Sequence, residues 1–173
     1  MKKKLHGFTL VELVVVITIL TVLAGILIPS MIGFIVKAKV GSVNSNAKLL
    51  SNAAITALTE LDTEDKMLPP GDYPWTKTLA DNGETKVNPE PEEIMAAKIR
   101  KYFDRVDELE SAVYRVSTVS VSAAAVQNGD YYGTYPNKTL NSQVDGTEGY
   151  AKDPRFDNSS ERLLNWAQNA SLS

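Results

Sequence analysis

Phe8-Thr9-Leu10-Val11-Glu12-Leu13-Val14-Val15-Val16-Ile17 opens a run that reaches Val36, and Glu12 is the one ionisable side chain among its 29 residues. Met1-Lys2-Lys3-Lys4-Leu5-His6-Gly7 precedes it. A helix of about 20 apolar residues crosses the hydrocarbon core of a bilayer, so this run is long enough to span. An acid inside it costs roughly 2.5 to 3.5 kcal/mol at the bilayer centre and less near the edge. A charge kept at that cost calls for a partner. Lys2, Lys3 and Lys4 predict an N-in orientation with everything after Val36 outside, while Lys37 and Lys39 pull weakly the other way. An ordinary secretory signal has a shorter apolar core and a small-residue cleavage site after it; here the small residue, Gly7, comes first.

The rest of the 173-residue chain limits the chemistry available. There is no cysteine, which excludes disulfides, thiolate nucleophiles and Cys-ligated metals. The only histidine is His6, so a chain starting at Phe8 has none, and triads or metal sites built on histidine drop out. The formal charge is −3, and −6 without the three leader lysines. With no basic block beyond position 4, nucleic acid is a poor partner by bulk charge.

The segment Lys4-Leu5-His6-Gly7-Phe8-Thr9-Leu10-Val11-Glu12-Leu13 resembles the class III signal of type IV pilins and pseudopilins. The resemblance runs from about Lys2 to Lys39 and includes Pro29. It implies cleavage between Gly7 and Phe8 by a prepilin peptidase on the cytoplasmic side, and N-methylation of Phe8. It also implies an assembly charge pair, in which Glu12 of one subunit neutralises the new amine of Phe8 on its neighbour. Opposite charges in low dielectric offset much of the desolvation cost, and the pairing sets axial register. Two other readings stay open. Phe8 and Glu12 lie one helical turn apart and could pair within one chain, and an acid near a helix N-terminus is favoured by the dipole.

Beyond the run, Val40, Val43, Ala47, Leu50, Ala54, Leu58 and Leu61 recur at three- and four-residue steps. Lys37, Ser45, Lys48, Ser51, Asn52, Thr56 and Thr59 fall between them, which predicts an amphipathic continuation of the same helix. From Phe8 to Leu61 such a helix measures roughly 80 Å. Pro29 cannot donate to the Gly25 carbonyl, and Gly25 and Gly33 loosen the same stretch, so a kink is expected there. The resemblance implies local loss of helix in a filament. Small residues at Gly25, Ser30 and Gly33 also suit close helix contact, or simply face lipid.

Asp62-Thr63-Glu64-Asp65-Lys66 ends the helix. Met67 to Pro91 reads as irregular, broken by Pro69-Pro70-Gly71, Pro74, Asn82-Gly83 and Pro89, with Tyr73 and Trp75 covering the core. A short helix follows from Pro91, with Met95, Ile99, Tyr102 and Val106 as its apolar face. From Ser111 the period becomes two. Asn128-Gly129 signals a hairpin, with Asp130 to Tyr135 returning. The reading is an antiparallel sheet of three or four strands, one face on the long helix and the other partly wet. Tyr131, Tyr132, Tyr135 and Trp166 could make an adhesive aromatic surface, though strand packing is the default for such residues. Asp145, Glu148, Asp153 and Asp157 are weak calcium candidates in no tight loop motif, and a solvated acidic loop is the plainer reading. Ser159 or Ser160 caps a last helix from Glu161 to about Asn169, docked by Leu163, Leu164 and Trp166.

The expected fold is therefore α+β, a long N-terminal helix packed on a small antiparallel sheet, as in pilin heads. Its parts are a cleaved leader (1–7), an apolar membrane and assembly helix (8–36), an amphipathic half (37–61) and a globular head (62–173). The function implied is that of a major pilin, inserted in the cytoplasmic membrane with its head outside. It then polymerises with itself into a surface filament for adhesion, motility or DNA uptake. The partners implied are the prepilin peptidase, the assembly machinery and minor pilins. No enzyme activity and no cofactor are expected. The alternatives are a pseudopilin of a type II secretion or competence system, and a signal-anchored adhesin or receptor that never polymerises.

Overall fold

The apolar run and the amphipathic stripe form one helix because no residue between them stops it: α1 runs from Leu10 to Thr63, 54 residues, with Pro29 inside it. Its end is built from four residues. The Lys66 and Asp65 amides bond back to the carbonyls of Leu61 and Asp62, at 3.0 and 3.2 Å, and Asp65 takes a left-handed φ of 55°. This is the paired closure of a Schellman motif, with an aspartate where glycine is commoner. The structure is a computed structural model and describes residues 8–118, 120–137 and 160–169, with the side chains of residues 160–162, 166 and 169 outside that description. It divides into two compact units, residues 1–37 and 38–173.

In the second unit α1 is followed by β1 (Gly71–Trp75), α2 (Lys77–Thr85), α3 (Pro91–Tyr102) and a 3-10 turn (Asp104–Glu108). Then come β2 (Ser111–Val116), β3 (Val121–Asn128), β4 (Tyr131–Tyr135) and α4 (Ser160–Asn169). The strands form one antiparallel sheet in the order β1-β2-β3-β4. The fold is the α+β arrangement expected, a long helix and a four-stranded antiparallel sheet.

One core joins sheet and helix. Leu50, Ala54, Ala57 and Leu61 of α1 pack with Tyr73, Trp75, Tyr114 and Val126 of the sheet and with Met95 and Ile99 of α3. Leu50 and Leu61 are fully buried, worth about 2 kcal/mol each in water-to-core transfer. Ala57 takes the buried position where Leu58 was expected, and Leu58 is only partly covered. The sheet approaches α1 closely at one point. A Cβ on Gly133 would sit 2.1 Å from the Val43 carbonyl oxygen, so only glycine lets β4 lie there. The next amide, Thr134 N–H, donates to Asn44 Oδ1 at 3.0 Å, satisfying a buried polar side chain.

Two expectations need correction. The stretch from Met67 to Pro91 is not irregular, since it holds β1 and α2. Pro74 is tolerated because β1 is an edge strand. Gly83 stays helical because α2 and α3 touch there: a Cβ would lie 2.0 Å from the Glu93 carbonyl oxygen. The outer face of the sheet is partly wet, as expected: Asp72 and Pro74 of β1 and Ser111 of β2 are exposed, and α4 covers the rest of it. Val113, Ala123, Ala125 and Tyr132 are buried against Leu163, Leu164 and Ala167 of α4. Tyr102 is 41% exposed, and Ile94 and Ala96 take the buried positions on α3.

Candidate functional site in the apolar run

Glu12 lies in the first turn of α1, two residues into the helix. Its carboxylate accepts from the Thr9 amide at 2.8 Å and from the Thr9 hydroxyl at 2.7 Å. The Glu12 amide donates back to Thr9 Oγ1 at 3.2 Å. Thr9 immediately precedes the helix, and its carbonyl accepts the first helical bond, from Leu13 N–H at 3.2 Å. Thr9-x-x-Glu12 is thus a capping box, in which two orphan amides of the helix start are satisfied reciprocally. The sequence carries this signal in a threonine three residues before a glutamate at the head of an apolar run. Within this chain the acid is engaged by Thr9. Phe8, 80% exposed, precedes the helix; while Gly7 remains attached its nitrogen is an uncharged amide.

The other hydroxyls of the run are also turned inward to their own helix. Thr18 donates to the Val14 carbonyl, Thr21 to Ile17 and Ser30 to Leu27, at 2.7, 2.7 and 2.8 Å. A segment with its hydroxyls bonded to its own backbone presents only hydrocarbon sideways, as a lipid environment requires. The best 18-residue window has a mean hydropathy of 2.8, and none of it is buried. A core helix of similar composition would be covered by its own protein. Leu10, Val11, Leu13, Ile26 and Phe34 are all more than half exposed. At Gly25 and Gly33 a Cβ would meet nothing, so neither glycine is demanded by a neighbour within the chain. Helix is continuous through Gly25, Pro29 and Gly33.

Residues 2–28 match the family model of a prokaryotic N-terminal methylation motif. The motif covers the basic leader and the first part of the apolar run, including Phe8 and Glu12, and does not extend into the head. It supports a type IV pilin-like or pseudopilin protein, a structural class that is generally non-enzymatic. As the prepilin peptidase cleavage site of pilins it implies that peptidase and assembly partners, and with the apolar helix it points to membrane insertion before assembly. Comparison with curated proteins and with solved structures gave no match.

The remaining candidates separate. Gly7 and the calcium candidates Asp145, Glu148, Asp153 and Asp157 lie outside the described residues. Among the described residues no cluster of three metal-binding side chains occurs. The aromatic residues serve packing. Tyr132 is buried under α4, and Tyr131 and Tyr135 pack against the main core. The Trp75 indole donates to the Ala96 carbonyl at 3.0 Å and the Tyr73 hydroxyl to the Pro69 carbonyl at 2.7 Å. The side chain of Trp166 is outside the description. The polar residues that matter in the head were not singled out from sequence. Arg115 holds Asp72 of β1, at 2.6 and 2.9 Å, together with Asn165 and Gln168 of α4, at 2.8 and 3.0 Å.

Proposed function

We propose that the chain is the major subunit of a type IV pilus, cleaved between Gly7 and Phe8, methylated on Phe8, and polymerised through residues 8–36. The observation that carries this reading is an uncovered apolar helix whose single acid sits in its first turn, inside a methylation motif. Before assembly the helix rests in the cytoplasmic membrane with the head outside. Cleavage turns the amide of Phe8 into an amine. In the filament Glu12 of one subunit then leaves Thr9 for the cation on its neighbour, a stronger partner where water is absent. Any other axial offset strands a charge in hydrocarbon, so the pair sets register. Pro29 leaves the Gly25 carbonyl without its helical donor, and with Gly25 and Gly33 it makes the stretch where the helix yields when subunits pack.

The gain on leaving lipid for a bundle of like helices is small, because acyl chains are as apolar as leucine. An energy-driven assembly machine and the charge pair therefore decide the outcome. Mass spectrometry of sheared surface fibres tests the proposal: the chain should be present, begin at Phe8 and carry one added methyl there. Glu12→Ala should abolish fibres while the protein stays in the membrane. A lone surface adhesin would be displayed and functional with that substitution, and a pseudopilin of secretion or competence would give short fibres or none with Glu12 intact.

A further inference from the structure

Lys39 is exposed on α1, and its ammonium lies 5.3 Å from the centre of the Tyr131 ring. With Ser42 of α1, Asn128 at the end of β3 and Asp130 of the turn that follows, these residues line an open cleft of about 320 Å³. The two walls are fixed to each other just behind it. Gly133 of β4 lies on the Val43 backbone, and Thr134 N–H is bonded to Asn44, so the hairpin cannot swing away from α1 without breaking buried contacts.

Chain connectivity alone limits how far the cleft can lie from the end of the apolar run. Val36 is the last residue of that run and Lys39 follows three residues later. Three residues reach at most about 11 Å even when fully extended, however the chain turns between them. The headgroup layer adds roughly 5 to 8 Å on each side of the hydrocarbon core. Once the run spans a bilayer, Lys39 stays within that reach of its last residue, close enough for a lipid headgroup to meet it. Lysine and tyrosine are the residues that settle at the headgroup level.

We infer that this cleft holds the headgroup of a phospholipid from the leaflet in which the apolar run ends. The phosphate lies against the Lys39 ammonium and the Ser42 hydroxyl, and a headgroup amine, where present, lies against the Asp130 carboxylate. Tyr131 holds the lysine in place from below through its ring face. Tethering by the span keeps Lys39 within reach of lipid headgroups, so a weak site is filled without high intrinsic affinity. The head is thereby held against the membrane until the subunit is extracted. This inference rests on the membrane insertion of residues 8–36.

The test uses the full chain in bilayer discs of phosphatidylethanolamine and phosphatidylcholine, observed by NMR. Cross-relaxation from the Tyr131 ring protons to headgroup protons is expected, with none from the partly exposed ring of Tyr102. Lys39→Gln should weaken the Tyr131 signal, since the ammonium that faces the phosphate is removed. The Thr134 amide should stay protected from exchange, which reports an intact head. Acyl-chain contacts from Leu20 in the same sample report insertion by themselves. If those contacts are seen and the Tyr131 signal is absent, the inference falls and insertion stands. If the acyl contacts are missing, both fall. Loss of the headgroup signal on adding inorganic phosphate would assign the cleft to a soluble anion and overturn the lipid.

Discussion

Gly133 is a single hydrogen standing where any side chain would enter the backbone of α1. Its absent Cβ would lie 2.1 Å from the Val43 carbonyl oxygen and 2.6 Å from the Asn44 nitrogen, both main-chain atoms that cannot rotate away. Gly133→Ala should cost about 3 kcal/mol, the upper end of ordinary overpacking, read as a lower denaturation midpoint of the full chain by near-UV circular dichroism. Gly25→Ala should leave that midpoint unchanged, since a Cβ there meets nothing. Neither outcome is legible in the sequence, where both are glycines beside apolar residues. What separates them is a long-range contact, between residues 90 positions apart. Asp65 makes the converse case. It holds a left-handed φ of 55° at the end of α1, which an L side chain adopts only at a cost. Asp65→Gly should raise head stability by roughly 0.5–1 kcal/mol, and a fall in the midpoint would mean that the aspartate side chain matters more than its backbone.

Among the elements, those with a strong period were readable and those fixed by neighbours were not. The stripe from Val40 to Leu61 and the alternation around Tyr114 gave the helix and the sheet, because burying one face imposes a pattern on local sequence. β1 and α2 carry Pro74 and Gly83, which read locally as breakers, and tertiary packing overrides them. The α4 helix was foreseen, yet its place over Val113, Ala125 and Tyr132 was not, since nothing local says which face a helix will cover. Leu164 is fully buried there, and Leu164→Ala should cost about 2–4 kcal/mol in the same denaturation measurement. The α2–α3 contact has a pH signature. Glu93 accepts from the Lys86 ammonium, from the Glu90 amide at 3.0 Å and from Asn82 at 2.9 Å. The Lys86 bond, chiefly, holds its carboxyl below the ordinary value of 4.5. A carboxylate with a lowered folded pKa contributes stability that is present above its unfolded value and lost as pH falls through the folded one. The head should therefore weaken on acidification below about pH 4.5, and Glu93→Gln should flatten that part of the pH profile. An unchanged profile in the variant would place the acid sensitivity elsewhere, with the Lys98-bonded Glu60 as the next group to change.

At the scale of the whole molecule, two kinds of surface are held together by different physics. The head buries tyrosine, leucine and methionine away from water, so detergent at moderate concentration offers its core nothing better. The apolar run has none of its best window covered by the chain itself, so its contacts in a filament replace contacts with lipid. Detergent tails are equivalent partners for it, and the helix–helix gain over them is small. If fibres form as proposed, a mild nonionic detergent should dissolve them to single subunits while Trp75 and Tyr114 keep their near-UV signal. Neutralising Glu12 should make the dissolution easier, because the charge pair is the one interaction that hydrocarbon cannot replace. Fibres that resist detergent yet fall apart on acidification would put the cohesion in contacts between heads. The apolar run would then be an anchor and not the axis of the assembly.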